Sequence, residues 1–174
     1  MKIVPLSQAN LSFKVLASLF LLTVAVGYVF GLIHIYTDVG YSYTGIVTHY
    51  RGAGKELDVP PELAMAKLIH HQHVHVFGLS MLFFLIGMIF ILTQLPEPVK
   101  AVFVMAPYLG LAMDMSSFWL LVFASPVFAW LSIVFGAFMA ISFFLIIGRP
   151  FYEMWMLPLW HRKWGPTNVP WFLH

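Results

Sequence analysis

The chain contains no cysteine. That excludes disulfides, thiolate-ligated iron–sulfur clusters and the Cys-x-x-Cys-His attachment of a c-type haem, so any cofactor must be held non-covalently by His, Asp, Glu or Met. Charge is nearly as scarce: Asp, Glu, Lys and Arg make up 9% of the 174 residues, and nine basic against seven acidic side chains leave a net charge of +2. So small and scattered an excess argues against nucleic acid as a partner. Nothing resembles a nucleotide-binding glycine loop, a Ser-His-Asp set or a transporter's broken-helix repeat. What fills the chain instead is apolar, with 61% hydrophobic residues and a mean hydropathy of +0.88. One soluble domain cannot bury that much, so the surplus surface must face lipid.

The apolar residues fall into four runs, and they predict membrane-spanning helices over about 11–36, 67–94, 99–123 and 126–147. Leu95-Pro96-Glu97-Pro98 and Ala124-Ser125-Pro126 are short, proline-punctuated links that permit only antiparallel neighbours. The expected fold is an all-α, up-down four-transmembrane-helix bundle over residues 1–148, followed by a tail over 149–174. That tail carries Trp155, Trp160, Trp164 and Trp171 among Pro, Arg and Lys, a composition suited to the headgroup level. Lys2 and Lys14 precede a first run too long for a signal-peptide core, so it reads as a retained anchor. Lys2, Lys14, Lys100, Arg149, Arg162 and Lys163 share one side, against Arg51, Lys55 and Lys67 on the other. The bias places both termini in the cytoplasm and the long loop 37–66 in the periplasm of a bacterium, making this a multi-pass inner-membrane protein. A loop of that length predicts a functional role. Within it, Asp58, Pro60, Pro61 and Glu62 read as a helix start, so the second helix begins outside the bilayer and runs inward.

Four histidines stand at the mouth of that helix: His70, His71, His73 and His75. Residues 76–93 beyond them carry no charge. Imidazole is costly to bury without a partner and is a common ligand of metals and haem. At about 100° per residue, His71 and His75 stack on one face, His70 and His73 form a second pair about 60° apart, and His73 and His75 point roughly 200° apart. The four therefore cannot converge on one point, and at least two environments are served. Two imidazoles from one turn approach a metal from the same side, so a bis-histidine haem needs its second ligand from elsewhere. His34, at the outer end of the first span, and His49, in the loop, are the other histidines on that side. A stacked pair with a carboxylate instead suits a compact copper or zinc site.

Asp114 lies inside the third span, where a carboxylate costs about 2.5–3.5 kcal/mol on insertion scales. It is expected to orient a ligating imidazole or to ligate a metal itself. The alternative is an interhelical hydrogen bond to Ser116, Ser117 or a tyrosine. Arg51 and Lys55 are placed to attract haem propionates or an anionic lipid headgroup. The candidate cofactor-binding residues are thus His34, His49, His71, His73, His75 and Arg51, and the candidate metal ligands His49, His73, His75 and Asp114.

Gly45-Ile46-Val47-Thr48-His49-Tyr50-Arg51-Gly52, His73-Val74-His75-Val76-Phe77-Gly78, Asp114 and Tyr152-Glu153-Met154-Trp155 together resemble a group of uncharacterised bacterial inner-membrane proteins. That group has four spans and a Thr-His-x-His-x-Phe-Gly-like element at the second. The likeness covers most of the chain and singles out His49, His73, His75, Asp114 and Glu153. Gln72 stands where the element often has Thr, and His70 and His71 are additional. More loosely, the layout is similar to small b-type cytochrome membrane subunits. These features predict an electron-transfer subunit holding haem b near the periplasmic face and linking the quinol pool to a periplasmic carrier. It would sit with other subunits in a larger complex, and quinone itself is a possible cofactor. The alternatives are a copper- or zinc-holding membrane subunit and an accessory subunit without chemistry of its own. With no histidine in the cytoplasmic half of any span, a second haem completing a path across the membrane is not expected.

Overall fold

The computed structural model describes residues 5–52 and 60–159. Helices start where a cap or a proline permits. Helix α1, Leu11–Asp38, begins behind Asn10, whose Oδ1 accepts from the Phe13 amide at 2.9 Å. Helices α3, Pro61–Phe90, and α4, Glu97–Phe123, each carry proline and an acid in the first turn, where the missing amide costs nothing and the helix dipole favours negative charge. Helix α5, Ala129–Phe151, follows a 3-10 turn at Pro126–Phe128 capped by Ser125. A π-helical turn, Tyr152–Met156, continues it. The four long apolar helices are α1, α3, α4 and the joined segment Pro126–Leu159. The protein is therefore an all-α, multi-pass membrane protein of four spanning helices, and no strand occurs among the described residues.

Two helix ends differ from those expected. The second helix begins at Pro61 but stops at Phe90 rather than 94. There the backbone tightens into Leu92 N to Ile89 O and Thr93 N to Phe90 O bonds, and the Gln94 amide turns to a side chain of α5's continuation. The fourth helix does not stop at 147. Pro150 lies inside the helix, and the chain stays helical through Leu159. The long loop also folds in part, as helix α2, Tyr43–Arg51. Ser42 Oγ accepts from the Gly45 amide at 3.0 Å to start it. A side chain at Gly45 would overlap the Val39 carbonyl oxygen, so glycine lets this turn fold back on the end of α1. The helix start expected at Asp58 lies partly outside the described residues, as do Lys55 and the tail beyond Leu159 with Trp160, Trp164 and Trp171.

The closest seam joins α4 and α5. A Cβ at Gly110 would meet Met139 Cβ at 2.9 Å and its Cα at 3.1 Å, so the two helices approach on the absence of a side chain. Around that seam Phe83, Ile86, Phe90, Leu111, Leu121, Phe143 and Ile146 are buried. Helix α1 is peripheral. Only Ala17, Ser18 and Leu21 of it are buried, and Tyr28 stacks on Phe143 with ring centroids 4.0 Å apart. Its later half exposes Val29, Phe30 and Ile33, and α3 exposes Phe77, Met81 and Phe84. These side chains meet lipid acyl chains. The antiparallel order gathers the end of α1, α2, the start of α3 and the end of α4 at one pole. The start of α1, the 91–96 link and the end of α5 form the other.

Candidate functional site

The histidines of α3 divide as their azimuths dictate. His71 and His75 are half-buried and stack with centroids 4.1 Å apart and planes 23° apart. His75 Nδ1 lies 2.9 Å from the His71 carbonyl oxygen. A carbonyl only accepts, so Nδ1 carries the proton and Nε2 keeps its lone pair. This is how ligating imidazoles are commonly held, with the second nitrogen oriented by a backbone acceptor. His70 and His73 face outward, where the His73 ring sits 5.3 Å from the ring of exposed Phe77.

Helices α2 and α4 wall the inward pair. Tyr50 lies 6.1 Å from His71 and 4.7 Å from Phe118, and Phe118 meets His71 edge-on at 5.3 Å. Exposed His49 packs against the other side of Tyr50 at 4.9 Å. Burial, with the Asp114 carboxylate adding to it, pushes the Tyr50 hydroxyl above its ordinary value, so it stays a neutral hydrogen-bonding group. Gln72 Nε2 donates to the Met115 carbonyl at 2.8 Å and fixes α3 against α4.

Other predicted residues are occupied elsewhere. Arg51 Nη1 donates to the Leu121 and Val122 carbonyls at 2.9 and 2.8 Å, among the last carbonyls of α4 that lack helical partners. Arg51 thereby caps the C-terminus of α4. His34 is exposed and lies 3.7 Å from Asp38 one turn on, away from the stacked pair. Asp114 is buried but turned toward α5, where its Oδ1 accepts from Ser132 Oγ at 2.9 Å. Ser117 and Ser116 bond backbone carbonyls of their own helix. Asp114 thus makes an interhelical hydrogen bond, with a serine of the fourth span as its partner rather than Ser116, Ser117 or a tyrosine.

His49, His73 and Asp114 are not brought together, because His73 faces outward on α3 and Asp114 faces α5. Among the described residues no three His, Asp or Glu side chains form a metal-ligating group. Two imidazoles with aromatic walls are what the fold assembles.

The opposite pole holds a polar cluster that spacing alone does not reveal. Glu153, fully buried in the π-helical turn, accepts from Arg149 Nε at 2.8 Å and from the Gln94 amide at 3.1 and 2.9 Å. Gln94 Nε2 donates to Ser7 Oγ at 2.7 Å, and Trp155 Nε1 donates to Ser18 Oγ at 2.8 Å. These bonds fasten α1 to the bundle. The signal available beforehand was Glu153 itself, which the resemblance singles out in Tyr152-Glu153-Met154-Trp155.

A family model described as a transmembrane helical domain matches residues 40–161. The match begins where α1 has ended, so it spans α2 and the three packed helices α3, α4 and α5. No curated protein and no solved structure is similar to the chain.

Proposed function

The chain belongs to the family Aq_1264_TM of transmembrane helical domains, and from the geometry of its histidine pole we propose that it is a metal-holding subunit of a bacterial inner-membrane complex, with that pole facing the periplasm. The observation that carries this reading is the His71–His75 pair, one helical turn apart, with His75 Nδ1 anchored on a backbone carbonyl and Nε2 left to coordinate. With the His71 ring turned out of the stack so that its lone pair converges with that of His75 Nε2, two imidazoles one turn apart would serve as cis ligands of copper or zinc, with the remaining positions filled by solvent or by another subunit. When bound, copper would supply one-electron chemistry and zinc a Lewis acid. The chain's own part is to hold two imidazoles at the bundle surface, exclude water from one side with Tyr50 and Phe118, and keep the orientation of the His75 ring fixed.

Haem b, and with it transfer of electrons from the quinol pool to a periplasmic carrier, needs an imidazole on the far side of the macrocycle. His34 is paired with Asp38 and His73 faces outward, which leaves exposed His49, packed on Tyr50, as the described histidine of another element near the stacked pair, and a haem would need it to swing to the far face of the macrocycle. The arrangement favours an ion over a haem.

The test is elemental analysis of the detergent-purified protein beside a reduced-minus-oxidised optical spectrum. About one copper or zinc per chain is expected, lost in His71→Ala and His75→Ala and retained in His73→Ala, with no b-type α band. Metal-free protein would overturn the proposal. A sharp α band that His71→Ala and His75→Ala abolish would reinstate haem.

A further inference from the structure

The outward imidazoles of α3 have no part in the metal site. His70 and His73 are exposed, and so are Leu63, Ala66 and Phe77 in line with them. The intervals along this row are three, four, three and four residues. That alternation is the heptad seam by which one helix packs on another, with Leu63, His70 and Phe77 at the first core position and Ala66 and His73 at the second. At about 100° per residue the row lies on the side of α3 away from buried Ala64, Leu68 and Ile86, which face the bundle.

Lipid does not account for the whole row. Thirty residues make α3 about 45 Å long, against a hydrocarbon core of about 30 Å. Its uncharged stretch is the far end, from residue 76 onward, so the excess is the first turns. Leu63 stands there, beyond the acyl chains, and is 51% exposed. An apolar side chain left open outside the hydrocarbon, in register with a packing repeat, is what a protein contact covers.

Charge names the partner. Glu62, just before Leu63, and Lys67, just after Ala66, are both exposed. Five residues apart, they border the row on opposite sides and lie too far round the helix to pair within it. In two parallel helices those same positions meet across the seam, so Glu62 of one copy faces Lys67 of the other, twice. The row is therefore complementary to itself. Copies inserted in one bilayer share one orientation, and a two-fold axis along the membrane normal brings the same helix together in parallel.

We propose that α3 pairs in parallel with α3 of a second copy of this chain, through Leu63, Ala66, His70 and His73, between two Glu62–Lys67 pairs. Phe77 closes the seam, exchanging lipid for its own copy. A neutral imidazole carries one donor and one acceptor, so facing His70 rings bond one another across the axis. Polar groups at such core positions fix the register and the number of helices. The pairing stands apart from the metal reading, since His71 and His75 lie on the other side of α3.

The experiment uses the full chain in its native membranes. Because the chain has no cysteine, a single introduced thiol reports on its own position. Under mild oxidation Ala66→Cys and His73→Cys should form disulfide-linked dimers. Met65→Cys should not, since Met65 is 46% exposed but lies off the seam. In detergent, Glu62→Lys or Lys67→Glu should weaken dimerisation about tenfold, as each turns two attractive pairs repulsive. The double variant should restore it. Both residues are exposed, so the fold tolerates these changes. Equal linking at all three positions, or none at 66 and 73, would overturn the proposal. So would a double variant as weak as the single ones. Linking at 66 and 73 only to a different protein would assign the seam to another subunit, and the self-pairing would fall.

Discussion

The two poles of the bundle hold polar groups in opposite ways. At the Glu153 end, carboxylate, guanidinium, amide and hydroxyl are turned on one another, and their hydrogen bonds tie α1, the 91–96 link and α5 together. At the histidine end the imidazoles are sorted onto two faces, and each keeps a nitrogen that no other helix occupies among the described contacts. Arg51, Gln72 and Asp114 are committed there to fastening one helix to another. Satisfied polar groups rigidify, and unsatisfied ones at a surface are available for ligands. The first pole is built for cohesion and the second for coordination.

Removing Glu153 tests the first half of that contrast most severely. Glu153→Ala removes the carboxylate that accepts from both Arg149 Nε and the Gln94 amide, and the loss of these hydrogen bonds to a charged group should cost about 3–5 kcal/mol in reversible unfolding in mixed micelles. Glu153→Gln keeps an acceptor for the Gln94 amide and should cost less. A Glu153→Ala protein as stable as the parent would mean that this pole holds nothing together. At the other pole, Arg51→Met uncaps α4 and should cost about 1.5–3 kcal/mol, the range for hydrogen bonds to a charged group. Metal content should fall with it, because Arg51 anchors α2 and Tyr50 beside His71. The smallest effect is expected at Asp114. Asparagine there still accepts from Ser132, so Asp114→Asn should change stability by less than about 0.6 kcal/mol, whereas a double-mutant cycle of Asp114→Ala with Ser132→Ala should return a coupling of about 0.6 kcal/mol. A large loss of bound metal in Asp114→Asn would erase the distinction, restoring Asp114 to the coordination sphere.

Hydropathy made the spans legible because lipid demands long uncharged runs, and the Pro60-Pro61-Glu62 start of α3 was equally readable. The azimuthal division of the histidines followed from helix geometry alone and reappears in the structure. Three things were not readable, for different reasons. The ends of α3 and α5 depend on where Gln94 and Glu153 meet, a contact between residues 59 positions apart. The role of Arg51 depends on the open carbonyls of α4, some 70 positions away. Asp114 was recognisable as costly, but its partner Ser132 is one serine among several and carries no mark of its own.

The Gln72 side chain that reaches the Met115 carbonyl, together with Tyr108 reaching Ser80, works as a key in a keyway. Turning α3 about its own axis by roughly half a revolution would exchange the sheltered imidazoles for the outward ones. Two pegs about two turns apart forbid that screw motion while leaving the lipid-side residues of α3 free to vary. Which pair of rings stays indoors is thus decided by an uncharged amide and a phenol, neither of which touches a histidine on another helix.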